Sequence, residues 1–369
     1  MIIRNCDMRT FFKRCGDKKI VCYGIGSDFQ RMLKNHKKYP WAEKTGMLVD
    51  NDPEKTGMDF WVEERKYVIR DLGGLLRGDL SEIVVLISCS YYAEILQQLN
   101  AISELDRTEC YIYYFMFTLS EGSPICIRTK ETPLIPKIIH YCWFGKGALP
   151  DLYKRCIESW HRYCPDYEIM EWNECNCDVK ENTFVRQAFE LKKYGFVPDY
   201  FRMKIIYEQG GIYLDTDVEL LRNIDDLRYN EAFCGMEVPG EAALGLGFGA
   251  VEGHPVIAKL LERYQNMIFS ETISPIWQTK DLMDMGMQYG NCQQEVRGMT
   301  IYPVEVLSPM NLVTGEIQLT EYTYAIHHYD GSWVSGEKLE KKKKRQENVH
   351  MIQALIKGWD DICKNSTWR

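Results

Sequence analysis

The sequence predicts an α/β protein made of two sheet-bearing units and a short helical tail. Three observations predict it. Short apolar runs alternate with helix-period patterns from residue 19 to about 117, the pattern of parallel strands joined by crossover helices. A polar stretch containing Pro124, Pro133 and Pro136 interrupts that alternation, and a fresh strand, Lys137 to Cys142, follows it. Beyond about residue 336 the chain turns basic, with Met351, Leu355, Ile356 and Trp359 at helical spacing. The expected divisions are 1–130, 131–335 and 336–369, each of the first two long enough to bury its own core.

In the first unit, Ile20-Val21-Cys22-Tyr23 reads as a strand ending at Gly24-Ile25-Gly26, after which Phe29, Met32 and Leu33 share one helical face. Met47-Leu48-Val49 is a second strand, closed by Asp50 and the turn Asn51 to Gly57. Ile83 to Ser88 gives a buried strand, and Tyr92, Ile95, Leu96, Leu99 and Ile102 give an amphipathic helix. The unit is Rossmann-like. Two glycines after a strand, with an acid ending the next, match part of a dinucleotide fingerprint, but Gln30 and Arg31 stand where a third glycine would allow close helix packing. A structural or partner-binding role is favoured over nucleotide binding.

Composition narrows the function classes. Hydrophobic residues at 45% and charged residues at 27% describe an ordinary globular chain. A net charge of −8 argues against general nucleic-acid binding. That charge is uneven: from Gly336 onward nine Lys or Arg oppose five Asp or Glu, a local +4 that leaves −12 for the rest. The run Lys341 to Arg345 and Trp359 are candidates for contact with an anionic membrane surface. The 14 cysteines include no Cys-x-x-Cys pair, so they read as buried apolar thiols in a reducing compartment. Apolar runs are strand-sized and no signal-peptide pattern opens the chain; a cytoplasmic protein is expected.

In the second unit a helix is expected near Leu152 to Trp160 and a strand near Tyr167 to Trp172. The most informative stretch is Val197 to Asp217. Pro198 suits the first turn of a helix, Asp199 favours its N-terminus, and Gly210-Gly211 can close it. Ile212-Tyr213-Leu214 then reads as a short buried strand delivering Asp215 and Asp217, which in extended backbone leave on the same side. Two carboxylates so close repel unless a cation joins them, and Mg²⁺ or Mn²⁺ takes such oxygen ligands together with substrate phosphates.

Four segments carry a resemblance to a known family: Ile135 to Gly145, Tyr167 to Asn173, Asp199 to Asp217, and Ala325 to Trp333. In order and spacing the region resembles the DXD-containing sugar transferases of glycosyltransferase family 32 and, more distantly, the glucosyltransferase domains of large glucosylating toxins. The resemblance implies a GT-A-type α/β domain, a divalent metal (Mn²⁺ or Mg²⁺), a nucleoside-diphosphate sugar donor and retention of anomeric configuration. It implies that Asp215 and Asp217 form the DXD pair, with Asp217 most directly on the metal. Asp199 and Arg202 match positions that hold the donor sugar and diphosphate, so Asp199, Arg202 and Asp217 are the implied catalytic set. Trp143 matches an aromatic stacking on the nucleobase, His328 a late metal ligand, and Ser332 and Trp333 phosphate-side contacts. Spacing to Trp333 selects His328 over His327.

One departure concerns the sugar. Family members commonly carry a polar residue before a Gly-Phe pair in a loop facing it, where this chain has Leu246 before Gly247-Phe248. No nucleophile is evident; Glu237 and Asp225 are available carboxylates that spacing does not separate, which favours direct same-face substitution. The expected acceptor is a saccharide or lipid-linked oligosaccharide in bacterial surface polysaccharide assembly. A nucleotide-sugar hydrolase and a non-catalytic sugar-nucleotide-binding protein are the alternatives.

Overall fold

The computed structural model describes residues 1–116, 124–127, 132–237, 240–311, 315, 317–331, 347–349 and 352. Ser332, Trp333, the lysine run and Trp359 lie outside the described residues, as does most of the expected tail. The chain forms two compact units, Met1–Glu121 with Lys341–Arg369, and Gly122–Glu340. Among the described residues no helix is long and apolar enough to cross a membrane.

The first unit is a seven-stranded sheet. Its strands are β1 (Ile2–Arg4), β2 (Lys19–Tyr23), β3 (Thr45–Val49), β4 (Asp59–Val62), β5 (Arg65–Arg70), β6 (Ile83–Ile87) and β7 (Glu109–Ile112), in the order β1-β7-β6-β2-β3-β5-β4. All neighbours are parallel except β4 and β5. Buried parallel strands require near-continuous apolar sequence, and Val84 to Ile87 supply it. The helix Ser27–Asn35 buries Phe29 and Met32, as its period predicts. The next helix, Tyr92–Asn100, stops before Ile102, which instead precedes a single 3₁₀ turn.

The sheet order reverses about β2, which places the Gly24 to Gly26 loop where an open α/β sheet ordinarily takes a ligand. Asp50 ends the neighbouring strand, and its carboxylate is already engaged. One oxygen accepts the Ile25 backbone N–H (2.6 Å) and the Lys55 ammonium (3.1 Å), and the other accepts the Asp52 N–H (2.9 Å). A carboxylate serving a dinucleotide ribose would be open to it; this one braces the loop. The thiols of Cys22, Cys156 and Cys234 are buried, and burial pushes each up to about 12, so they act as small apolar groups.

The second unit holds β8 (Ile138–Cys142), β9 (Glu168–Trp172), β10 (Gly211–Tyr213), β11 (Val218–Leu220), β12 (Ala232–Glu237), β13 (Glu241–Ala250), β14 (Gln294–Val296), β15 (Met299–Tyr302) and β16 (Ala325–His327). Seven form one mixed sheet, β14-β15-β12-β13-β10-β8-β9, and β11 pairs with β16 in a ribbon. Apolar side chains cover both faces. Phe201, Ile205, Phe248 and Leu260 pack on one, while Trp160, Leu214, Val218 and Tyr302 pack on the other. The helix Asp151–Tyr163 pins the ribbon: Trp160 Nε1 donates to the Val218 carbonyl (2.8 Å), and Ser159 Oγ accepts the Leu220 N–H (2.9 Å).

The helix Pro198–Gln209 buries Phe201, Met203, Ile205 and Ile206 in the core and carries Asp199 and Arg202 inward with them, while Lys204 and Glu208 stay toward solvent. It leads directly into β10 through Gly210 and Gly211. Gly211 has φ +96°, and a Cβ there would stand 2.8 Å from His140 Nε2 and 3.0 Å from the Ile138 carbonyl. Only glycine lets the strand lie against β8 so closely. His140 completes the junction: Nε2 donates to the Gly210 carbonyl (3.1 Å) and Nδ1 accepts from Trp172 Nε1 (3.1 Å), which fixes its tautomer.

Candidate functional site

Asp215 and Asp217 leave the sheet just beyond the carboxyl end of β10. The extended arrangement expected for them is not what forms. The strand stops at Tyr213, and the Val218 N–H donates to the Asp215 carbonyl (3.0 Å), so Asp215 to Asp217 make a turn between β10 and β11. Tertiary partners, rather than strand alternation, aim the two carboxylates. The Asp215 N–H donates to the Gly245 carbonyl (3.0 Å), and its Oδ1 accepts the Tyr213 hydroxyl (3.1 Å). Asp217 is gripped by Asp330, whose N–H donates to Oδ2 (3.1 Å).

The structure puts His327, not His328, at this pair. In the antiparallel ribbon Val218 faces His327, and successive side chains alternate faces. His327 Nε2 lies 3.1 Å from Asp217 Oδ1, while His328 turns the other way, its Nε2 2.8 Å from Glu219 Oε2. Ligand atoms of Asp215, Asp217 and His327 all lie within 4.8 Å of one another. Burial pushes the Asp217 carboxyl up, but the His327 ring and hydrogen bonds including the Asp330 N–H prevail and hold it at about 2. Burial drives His327 down, and Asp217, Asp215 and Glu237 together outweigh it, so the imidazole is raised. Its Nδ1 is buried with no partner among the described residues. Two carboxylates and an imidazole with an unmet nitrogen form an oxygen and nitrogen donor set that fits a divalent cation, Mn²⁺ more readily than Mg²⁺ because of the imidazole.

Asp199 and Arg202 do not form a surface pair. They are 4% and 5% exposed, on the face of their helix turned to Asp215. Arg202 Nη2 donates to Asp199 Oδ1 (2.6 Å), Nη1 stands 3.5 Å from Asp215 Oδ2, and Nε donates to the Pro198 carbonyl (3.1 Å). Its guanidinium carbon also lies 5.3 Å from the Tyr213 ring centroid. Burial would lower the guanidinium, but Asp215 and Asp199 hold it raised. Burial lifts the Asp199 carboxyl to about 6 against the opposing pull of Arg202.

Trp143 follows β8 at the same end of the sheet. Its Nε1 donates to the Gly147 carbonyl (2.7 Å), and its half-buried ring meets Tyr153 edge to face at 5.5 Å. The Tyr153 hydroxyl donates to the Asp330 carboxylate (3.0 Å), and the Asp330 backbone N–H donates to Asp217, so Trp143 connects to Asp217 through Tyr153 and Asp330. Leu246 precedes the Gly247-Phe248 pair at the position the resemblance marks as facing the sugar. It is fully buried, and a Cβ on Gly235 would meet its Cδ1 at 2.5 Å. That position serves the core here.

Of the two unassigned carboxylates, Asp225 is held by Tyr167, Lys137 and Arg228 and is structural. Glu237 belongs to the site's surroundings. It ends β12 opposite Glu241, and both are buried. Burial lifts its carboxyl from the ordinary 4.5 to about 7, against the pull of His327 and a hydrogen bond with Tyr329, with Glu241 adding to the rise. The folded protein thus keeps a proton that the unfolded chain loses between these values, and stability falls as pH rises through that window. Glu237→Gln should remove that slope. In urea unfolding with EDTA, the stability difference between pH 5 and pH 8 should shrink by roughly 1–3 kcal/mol; an unchanged difference contradicts the assignment. Spacing alone could not select Glu237, because its partners come from β13 and from the segment after β16.

Residues 150–234 match the family described as "Glycosyltransferase sugar-binding region containing DXD motif". Over 150 residues the chain is 27% identical to inositol phosphoceramide mannosyltransferase 3 of Schizosaccharomyces pombe, covering 39% of this chain and 41% of that protein. Over 135 residues it is 25% identical to the initiation-specific alpha-1,6-mannosyltransferase of Candida albicans, covering 34% and 35%. A solved structure, PaToxG Glycosyltransferase, aligns with TM-score 0.33 and 18% identity over 41% of this chain and 68% of that one. The chain spans less than half the length of the curated relatives it matches. Asp199, Arg202 and the two DXD carboxylates all fall inside residues 150–234, the segment that matches the sugar-binding region of the DXD-containing glycosyltransferases.

Proposed function

We propose that this chain is a metal-dependent, GT-A-type glycosyltransferase that moves a hexose from a nucleoside-diphosphate sugar to a saccharide or lipid-borne acceptor. The observation that carries the reading is the convergence of Asp215, Asp217 and His327 beside the buried Asp199–Arg202 pair. When bound, a divalent cation supplies charge neutralisation to a diphosphate leaving group. The chain's own residues do the rest. Arg202, fixed on three sides, presents its remaining N–H groups to sugar or phosphate oxygens in one orientation. Asp199 accepts from sugar hydroxyls, and Trp143 offers a flat apolar face to the base. Asp215, Asp217 and His327 would hold the cation at the diphosphate end, and the resemblance adds Ser332 and Trp333 to it.

The mannosyl transfer named for the relatives makes mannose the first donor sugar to test, and the inositol phosphoceramide in one of those names favours an acceptor on a lipid. Retention of configuration, work on the cytoplasmic side in bacterial surface polysaccharide assembly, and a membrane contact through the basic tail belong to the same proposal. Incubation with Mn²⁺ and radiolabelled GDP-mannose or UDP-glucose, with and without glycolipid acceptors, tests it. A labelled glycoconjugate is the expected product. Release of free sugar alone would make the protein a hydrolase, and no consumption of any nucleotide sugar would overturn the reading.

A further inference from the structure

The helix Ser274–Asp284 packs on β13 and buries Ser274, Gln278 and Thr279. Ser274 is hydrogen bonded to the Asp199 carboxylate, and Thr279 Oγ1 accepts the Ala242 N–H (2.9 Å). Gln278 lies one turn beyond Ser274 on the same face and is 3% exposed. Its Oε1 accepts the Leu244 N–H at 3.0 Å. A backbone N–H needs an acceptor, so the amide oxygen must face Leu244 and the NH₂ group turns away from it. That NH₂ is buried and has no partner among the described residues. A native fold seldom leaves such a donor unmet unless something outside the chain meets it.

The surroundings of Leu244 say what that is. Pairing between β12 and β13 jumps from Ala243↔Gly235 to Phe248↔Cys234, so residues 244–247 bulge out of the sheet. The bulge reads Leu-Gly-Leu-Gly and contributes no polar side chain. Its Gly245 carbonyl accepts the Asp215 N–H, and a Cβ at Gly245 would stand 2.2 Å from Asp215 Oδ2 and 2.4 Å from Arg202 Nη1. The Gln278 amide therefore lies one residue from the point where Asp215 and Arg202 meet.

We propose that Gln278 is a specificity-determining residue whose amide NH₂ donates to one hydroxyl of the donor hexose. This rests on the transferase reading above. A buried neutral donor suits a hydroxyl oxygen, whereas phosphate oxygens are better met by charged groups such as Arg202. The bulge supplies shape and Gln278 supplies the polar contact that the bulge lacks. A buried donor built for one hydroxyl also rejects sugars that lack it, because it is then left unpaired.

Gln278→Glu keeps an oxygen for the Leu244 N–H and removes the NH₂. Gln278→Met, similar in length and uncharged, repeats the test should the buried carboxylate unfold the chain. With GDP-mannose or UDP-glucose, whichever the wild type consumes, kcat/KM is measured for the donor and its single-deoxy analogues. In the wild type one deoxy position should cost about tenfold or more. In the variant that penalty should fall below about twofold, while the other positions keep theirs and Mn²⁺-dependent binding of GDP or UDP alone is unchanged. Persistence of every penalty in the variant overturns the proposal, as does an equal loss of affinity for the nucleotide alone, which would mean that Gln278 acts only through the bulge. A wild type that tolerates every deoxy donor overturns it without any variant. Failure of the wild type to bind any nucleotide with Mn²⁺ is a different result and strikes the transferase reading itself.

Discussion

Asp217→Asn should lower sugar transfer by at least about 10²–10³-fold while the protein still folds. The substitution keeps the volume, and Asn Oδ1 can still accept the Asp330 N–H. What it removes is the charge facing His327, on a carboxyl held at about 2 and so ionised at any working pH. A depressed carboxyl contributes stability above its ordinary value of 3.8, lost as pH falls toward about 2, so some melting temperature is surrendered at neutral pH. The readouts are product formation and Mn²⁺-dependent nucleotide binding. Both should fail together, with a single cooperative unfolding transition retained; normal turnover in a folded variant would remove Asp217 from the chemistry.

Arg202→Met should cost roughly 3–5 kcal/mol of folding stability. Among the described residues the Arg202 guanidinium alone pairs with both Asp199 and Asp215. Without it Asp199, already lifted to about 6 by burial, rises further, and the half-buried Asp215 loses the guanidinium that opposes its own rise. A carboxyl raised in the fold destabilises as pH rises, so the loss should be larger at pH 8 than at pH 5. Urea unfolding at the two pH values checks both magnitude and direction. Arg202→Lys keeps a charge but cannot make the forked contacts to Asp199 and Asp215 while donating to the Pro198 carbonyl, and it should fall between Met and wild type. Equal stability of all three proteins would show that the triad is not what holds this part of the site.

What could be read from the sequence was what is local. The Pro198 helix, the double glycine and the buried strand follow one another without interruption, and each has its own signal, so the block carrying Asp199, Arg202, Asp215 and Asp217 stands where its pattern predicts. Asp199 and Arg202 are three apart on a helix and had to share a face. The histidine was not legible in the same way, because His327 or His328 is chosen by the register of β16 on β11, set by a pairing across more than a hundred residues. The Asp-Thr-Asp turn is likewise made by Gly245, Tyr213 and Asp330, which no local pattern announces. Glu237 could be told apart from Asp225, and Gln278 picked out at all, only once β12, β13 and the Ser274 helix were packed together. In the first unit the glycine loop was legible, but the use of Asp50 as its brace was not.

The central claim is that Asp215, Asp217 and His327 hold a divalent cation on which nucleotide binding depends. Calorimetric titration of GDP and UDP into the protein, with Mn²⁺ and again with EDTA, tests it most directly. Binding of one nucleotide should require Mn²⁺, disappear in Asp217→Asn, weaken about tenfold or more in His327→Ala, and stay near wild type in His328→Ala. Equal binding in EDTA, or loss with His328→Ala and not with His327→Ala, would contradict it.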